Sequence, residues 1–256
     1  MTIMKRIITV VSLLVLIVMA AAGQPKVVAH RGHWMAADGA QNSLASLSKS
    51  ADINCYGAEF DVHSTVDNVL VVYHDNDIDG VKIQDTTYGN IQYSRLPNGE
   101  YLPTLIQYLQ DGKKYPNLQL VLEIKPHKNA ERDMQVCKAV VDMVDKAGLA
   151  PRVEYISFSL DACKELHRLA PDAKVAYLGG NLSPRQAKDA GLTGIDYHYS
   201  VFEQNLQWLD EARLLGVEVN VWTVDGDSLL RKFAYMLGID IITTNQPDVL
   251  QKILEK

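Results

Sequence analysis

An α/β chain folded as a (β/α)8 barrel, the TIM barrel, is what the sequence predicts, and three observations predict it. From residue 26 onward, apolar β-branched runs alternate with stretches of helical length. Eight strand–helix units occupy about 230 residues, the size of that barrel. No glycine-rich phosphate fingerprint follows the first strand, so the rival doubly wound open sheet lacks its usual signature.

The elements follow in order. Val27–Gly32 is the first strand, and Asn42–Ile53 reads as a helix. Ala58–His63 is the second strand, with Val69–His74 an extended excursion beside it. Thr104–Gly112 is helical, Leu118–Lys125 is a strand, and Glu131–Ala147 is a helix stopped by Gly148. Val153–Phe158 is a strand, and the helix Leu160–Leu169 has Pro171 behind it. Ala173–Leu178 is a strand broken by Gly179-Gly180, and Pro184–Ala190 starts a short helix. Three strands remain, at Gly194–Tyr199, Val217–Val224 and Ile239–Thr243. Helices over Glu203–Leu215, Ser228–Leu237 and Asp248–Leu254 follow them. The stretch from Asp75 to Pro103 interrupts this rhythm. It is polar, holds Gly80, Gly89 and Gly99, and has no clear period. Such a stretch is uncommon in a compact domain unless it serves function. It reads as a small insertion (about 75–103) after the second strand, capping one end of a single domain over 24–256.

Residues 1–23 read as a secretory signal peptide. Lys5 and Arg6 form a basic start, Ile7–Met19 is apolar but for Thr9 and Ser12, and Ala20-Ala21-Ala22-Gly23 supplies small residues for cleavage. The apolar core is short for a membrane span, and an uncleaved anchor is the rival reading. No cysteine adjoins the cleavage site to carry a lipid anchor. The chain is therefore expected to be exported, periplasmic or secreted, with no stable membrane insertion after cleavage. Cleavage takes the net charge from −6 to −8. That argues against nucleic acid or an anionic membrane surface as partner, but not against a small phosphorylated substrate. Cys55, Cys137 and Cys163 lack metal-ligand spacing, and their odd number leaves one unpaired; buried free thiols are expected.

The chemistry centres on the second strand. Glu59 and Asp61 are two apart, so they share a face. Two inward carboxylates repel and are costly to desolvate unless a cation or strong donors hold them. His30 and Arg31 end the first strand, His74-Asp75 ends the excursion, and Glu123 and Lys125 end the third strand on one face. Each alone is an ordinary loop-edge polar residue. Successive strands ending this way on the catalytic rim of a barrel point to a site. Three carboxylates without cysteine suit a hard divalent cation, Mg²⁺ or Ca²⁺. Two histidines suit a general base and a general acid, and Arg31 and Lys125 offer charge for an anion. Together they describe a phosphodiester site.

The ordered set His30-Arg31-Gly32, Glu59-x-Asp61, His74-Asp75 and Glu123-x-Lys125 resembles the glycerophosphodiester phosphodiesterases. The resemblance continues through Asn98-Gly99-Glu100-x-x-Pro103-Thr104-Leu105, Val221-Trp222-Thr223-Val224 and Gly238-Ile239-Asp240-x-Ile242-x-Thr244-x-x-Pro247. It implies a metal-dependent hydrolase of lipid metabolism, a TIM barrel with an insertion after the second strand. Such an enzyme releases glycerol 3-phosphate and an alcohol. It implies His30 and His74 as the acid/base pair, with Glu59, Asp61 and Glu123 as metal ligands. Arg31 and Lys125 would bind phosphate and Trp222 would line the glycerol side. Which histidine is the base stays open, as do the alcohol, the choice of cation and the oligomeric state.

Three departures from the family pattern stand out. Gln41-Asn42-Ser43 replaces a usual Glu-Asn-Thr, the loop after Asp75 is shorter and lacks an Arg-Thr-Thr stretch, and Asp225 stands where Asn is common. Gln41 is the sole support for a catalytically silent phosphodiester-binding barrel. A sugar isomerase or epimerase also puts carboxylates and histidines on a barrel rim, but the ordered motifs do not match it. Of the other histidines, His63 is expected in solvent past its strand, His33 and His127 in solvated loops, and His167 in a structural role. His198 is a candidate pocket wall. Phe60 and Phe158 are expected to pack in or around the barrel.

Overall fold

The computed structural model describes residues 23–255, so the signal-peptide segment through residue 22 lies outside the described residues. Lys26–Ala29 (β1) pairs in parallel with both Gly57–Ser64 (β2) and the last strand, so the sheet closes on itself. Leu44–Asp52 (α1) lies between β1 and β2. After β2 the chain turns back through Leu70–Val72 (β3), antiparallel to β2, with Val62 opposite Val72 and Ser64 opposite Leu70. A hairpin of Asp77–Ile78 (β4) and Val81–Lys82 (β5), a 3-10 turn and the short helix Tyr88–Ile91 (α2) follow.

The regular alternation then resumes. Leu105–Gly112 (α3) leads to Gln119–Ile124 (β6), and Ala130–Ala147 (α4) to Val153–Ser157 (β7). Leu160–Leu169 (α5) leads to Val175–Tyr177 (β8), and Pro184–Asp189 (α6) to Gly194–His198 (β9). Tyr199–Gln204 (α7) and Gln207–Leu215 (α8) precede Glu218–Trp222 (β10). Asp227–Ala234 (α9), Ile241–Thr244 (β11) and Pro247–Leu254 (α10) complete the chain. The ring β1-β2-β6-β7-β8-β9-β10-β11 is the (β/α)8 barrel that the sequence predicts.

Local chemistry explains the boundaries. Thr104 and Gln107 form a capping box at the start of α3. Asn129 caps α4 by accepting from Arg132 N, and Gly148 ends it at φ 69°, a left-handed turn that suits glycine. The single helix expected over 203–215 is two helices, because the Asn205 side chain donates to Val201 O (2.9 Å) and ends α7. The expected strand 194–199 stops at His198, whose ring accepts from Ser200 N and caps that helix.

Alternation sorts the strand side chains into two sets. Ala58, Phe60 and Val62 face the helices, as do Leu120, Leu122 and Ile124, in the main apolar core. Phe60 stacks on Tyr108 of α3 at 4.3 Å between ring centres. Inside the barrel Val28, Val121, Ile156, Leu178 and Ile241 form a small apolar plug. Toward the N-terminal end of the strands Lys174 bridges Glu154 (3.3 Å) and Glu218 (2.7 Å). The other end carries the charged rim. All three cysteines are free and buried.

The segment that lacked a readable period has its own core. Val71, Ile78, Ile83, Ile91 and Leu102 pack together, but their irregular spacing matches no strand or helix template. This unit also grips the loop after β1. Glu100 accepts from Leu44 N (2.9 Å) and Ala45 N (3.1 Å) at the start of α1, and Asn98 donates to Asp38 O (3.1 Å).

Candidate active site

Glu59, Asp61 and Glu123 come together on adjacent strands, with Asp61 opposite Glu123 in the β2–β6 register. One oxygen from each lies within 4.8 Å of the others, and all three residues are buried. Arg31 N donates to Glu59 Oε2 (2.8 Å), which the backbone reaches by turning Arg31 to φ 57°. Lys125 Nζ lies 3.1 Å from Asp61 Oδ1 and 2.9 Å from Glu123 Oε1. Asn42 Nδ2 donates to Asp61 Oδ2 (2.8 Å), and Asp61 N donates back to Asn42 Oδ1 (3.2 Å). Asn42 holds this pose at φ 62°, a conformation that asparagine tolerates better than most residues.

The carboxylates divide electrostatically. Burial, then the charges of Asp61 and Glu123, push Glu59 well above the usual range. Burial, then Asp61, push Glu123 up to about 7. Burial would raise Asp61 too, but Lys125 and other positive or donating neighbours outweigh it and hold its carboxyl below the ordinary value. Glu59 Oε1 is buried and has no hydrogen-bond partner among the described residues. An oxygen-only donor set with surplus negative charge and an orphaned oxygen fits a hard divalent cation.

The predicted histidines flank this trio. His30 Nδ1 is 2.9 Å from Asn245 Oδ1, and burial, then Arg31, lower the ring's pKa to about 4. His74 Nδ1 is 2.6 Å from Asp75 Oδ1, and burial lowers its pKa as well. Arg31 Nη1 donates to Gln41 Oε1 (2.6 Å). A cavity of 240 Å³ opens among His30, Arg31, Glu59, His74, Glu123 and Lys125. Its other wall is apolar and aromatic, with Ile156, Phe158, Leu178 and Trp222. Trp222 packs edge-on against Phe158 (5.7 Å) and His198 (5.3 Å), and its Nε1 donates to Asp196 O (2.9 Å). Asp61 stands behind the cavity wall, with both oxygens engaged by Lys125 and Asn42. A groove of 560 Å³ adjoins this cavity at His74, lined by Trp34, Met35, Tyr73, Asp75, Leu96 and Pro97 among others.

Three of the remaining histidines differ from expectation. His63 is not in solvent, because β2 runs on to Ser64. Its buried ring contacts His74 O through Nε2 (3.3 Å) and Gln84 Nε2 through Nδ1 (3.0 Å). The His127 ring is also buried; its Nε2 accepts from Ser64 N (3.1 Å) and its Nδ1 lies 3.4 Å from Asp133. His33 is buried behind α1, where its backbone N meets Ser46 O and Ser50 Oγ. His198 packs on Trp222 without lining the cavity. Phe158 is 40% exposed, so it is rim rather than core.

Asn42, Asp196 and Asp225 carry no assigned role in the sequence, and Asn245 stands out there only as the end of the last strand on the rim. Asn42 and Asp225 lay within motifs already noted, but only the fold shows what they touch. Asp196 is a buried carboxyl in the cavity floor, pushed well above the ordinary range by burial and then Glu123. Its partner is Asn220, whose Nδ2 donates at 2.9 Å.

Gly32 makes the turn from β1 into this site at φ 73°, and a Cβ there would lie 2.4 Å from Ser46 Oγ and 2.8 Å from Ser46 C. Gly32→Ala therefore combines a left-handed backbone with a clash against α1. We expect a loss of at least about 2 kcal/mol, and a melting temperature lower by about 4 °C or more. Thermal unfolding of the two proteins checks this, and an unchanged midpoint would contradict it.

The Glycerophosphoryl diester phosphodiesterase family profile matches residues 30–249. A glycerophosphodiester phosphodiesterase of Caldanaerobacter subterraneus subsp. tengcongensis is 23% identical over 247 residues, covering 90% of this chain and 98% of that protein. The crystal structure of a glycerophosphodiester phosphodiesterase from Parabacteroides distasonis is similar at a TM-score of 0.89 and 49% identity, covering 91% of this chain and 97% of that one. An Oleispira antarctica phosphodiesterase solved with the product sn-glycerol-3-phosphate shares the fold at a TM-score of 0.75 and 22% identity, covering 91% of this chain and 98% of that one.

Proposed function

The chain belongs to the glycerophosphoryl diester phosphodiesterase family and is an enzyme of that class, and on that premise we propose that His30 and His74 carry out its acid/base chemistry beside a cation held by Glu59, Asp61 and Glu123. The reaction is hydrolysis of a glycerophosphodiester to glycerol 3-phosphate and an alcohol. The observation that carries this reading is the cavity of 240 Å³ where both histidines, both cations and two of the carboxylates meet.

When bound, Mg²⁺ or Ca²⁺ supplies charge neutralisation at the phosphate oxygens and polarises phosphorus. The chain supplies the rest. Arg31 and Lys125 attract and orient the phosphate. Gln41 accepts from Arg31 without bringing charge, so the guanidinium, 3.8 Å from Asp61 Oδ2, is not drawn off by a further carboxylate at position 41. That makes Gln41 compatible with turnover and weakens the silent-barrel alternative. Ile156, Phe158, Leu178 and Trp222 exclude water around the glycerol carbons. One histidine takes the proton of the attacking water and the other gives one to the departing alkoxide. His74 lines both the cavity and the adjoining groove, which suits a leaving alcohol that lies in the groove.

The test is release of glycerol 3-phosphate from glycerophosphocholine and glycerophosphoethanolamine, with EDTA, Mg²⁺ or Ca²⁺. Release is expected to need a cation and to fall by about 10²–10⁴-fold in His30→Ala. Binding without release under any cation would favour the silent barrel instead. We also propose export through a signal peptide cleaved near Gly23. Among the described residues no helix is long and apolar enough to cross a membrane. N-terminal sequencing of the protein recovered outside the inner membrane would start near Gln24, whereas an intact Met1 would refute cleavage.

A further inference from the structure

We propose that Asn245 and Asp225 are positioning residues that hold His30 with its hydrogen on Nδ1, which makes His30, through Nε2, the base of the reaction and leaves His74 as the acid. This assignment rests on the acid/base reading above and decides between its two histidines.

The argument is the orientation of one amide. Asn245 Oδ1 lies 2.9 Å from His30 Nδ1 and also accepts from Trp34 Nε1 at 2.9 Å. Asn245 Nδ2 donates to Asp225 Oδ2 at 2.7 Å. Asp225 Oδ1 accepts from Asn245 N (2.9 Å) and Thr244 Oγ1 (3.0 Å), so the carboxylate is anchored on the same turn. An indole nitrogen only donates, and a carboxylate only accepts. Turning the Asn245 amide over would set N–H against N–H at Trp34 and oxygen against oxygen at Asp225. The amide is fixed from both ends, and its oxygen faces His30. That contact is a hydrogen bond only if Nδ1 carries the hydrogen. The neutral ring then has its lone pair on Nε2, the nitrogen left for the cavity that His30 lines.

The partners of the two histidines differ to match the two roles. His74 Nδ1 meets the carboxylate of Asp75, which supports the protonated ring an acid starts from and works against the burial that lowers its pKa. His30 meets an amide, which sets a tautomer without adding charge. The carboxylate at 225 stands one residue further back and acts only through Asn245.

The same geometry supplies a reciprocal test. In Asp225→Asn, the new amide must keep its oxygen toward Thr244 Oγ1 and Asn245 N. Its NH2 then faces the NH2 of Asn245, so that amide is held from the Trp34 side alone and its preference for the Nδ1–H form of His30 weakens. Adding Asn245→Asp exchanges the two groups. The carboxylate at 245 then accepts from His30, Trp34 and the amide at 225.

The experiment reads His30 by long-range ¹H–¹⁵N NMR of the cation-free protein at a pH where the ring is neutral, beside kcat and KM of the loaded enzyme. In the wild type the hydrogen is expected on Nδ1. In Asp225→Asn it moves toward Nε2, and kcat falls by about 10²-fold with KM within a few-fold. In the double variant it returns to Nδ1 and kcat recovers at least tenfold over the single variant. A wild-type hydrogen on Nε2 overturns the proposal. So does an Asp225→Asn protein that loses activity with Nδ1–H intact and gains nothing from the second change, since a merely structural role gives that pattern. A wild type without turnover refutes the hydrolase reading alone, because the tautomer at Asn245 is still read directly.

Discussion

Replacing His74 with alanine is expected to slow hydrolysis of glycerophosphocholine by about 10²–10⁴-fold and to slow hydrolysis of an aryl glycerophosphodiester far less. An alkoxide such as that of choline is a strong base and leaves slowly without a proton. A nitrophenolate is stable unprotonated and leaves alone. His74 is placed to make that difference. It lines the cavity with the cations and the groove that adjoins it, and its Nδ1 is tied to Asp75 at 2.6 Å. The buried His63 ring steadies it from behind through His74 O (3.3 Å), with Gln84 on the other ring nitrogen (3.0 Å). With Nδ1 tied to Asp75, Nε2 is the ring nitrogen left for the proposed proton transfer to a leaving oxygen. His30→Ala, which removes the proposed base, should slow both substrates alike. The check is kcat/KM for each variant on both diesters. Equal losses in His74→Ala would assign the proton transfer to the leaving group elsewhere.

Most of the barrel was legible because parallel strands buried on both faces read as apolar runs, and their helices carry caps at the right places. Gly148, read as the stop of one helix, and Pro184, read as the start of another, mark real helix ends. The inserted unit was not legible in detail, because Ile78, Ile83, Ile91 and Leu102 meet through tertiary packing rather than through a period. The site divides the same way. Glu59, Asp61, Glu123 and Lys125 stood out because alternation puts charge on an inward face, where charge is costly. His63 and His127 lie beside the strand ends, where residues are usually wet. They are buried because Gln84 from the insertion and Asp133 from α4 close over them. Asn245 and Asp225 are ordinary loop residues in one dimension. Their role depends on β1, β10 and β11 lying side by side, which no local pattern announces.

Measured against Glu123→Gln, the cation-free protein is expected to lose stability as pH rises from about 5 to about 8, and added Mg²⁺ or Ca²⁺ should restore it most at the alkaline end. Glu123 is the accountable group. Burial and the charge of Asp61 raise it from 4.5 to about 7 in the folded chain. A raised carboxyl binds its proton more tightly folded than unfolded. Its contribution is fully present below about pH 4.5 and is lost as pH rises through about 7. At about 1.4 kcal/mol per pKa unit, Glu123 alone makes the cation-free fold weaker by about 3 kcal/mol at the alkaline end. In a domain of this size that is a fall of about 6–12 °C in melting temperature. Glu59, also raised by burial and its acidic neighbours, acts in the same direction. Asp61, held low by Lys125 against the opposing effect of burial, is ionised in both states across this window and adds no slope. A cation binds only the deprotonated trio, so it stabilises by mass action where the protons have left. Glu123→Gln removes this titrating group, so its cation-free profile should lack the alkaline loss that Glu123 contributes, and much of the rescue by added cation should go with it. Thermal unfolding of EDTA-treated protein across this range, with and without each cation, reads all of these at once. The buried histidines, His30 and His63 lowered to about 4, add stability with rising pH in both proteins and cancel in the comparison. A difference from Glu123→Gln that does not grow more unfavourable toward alkaline pH would therefore show that the trio is not held as buried, mutually repelling carboxyls.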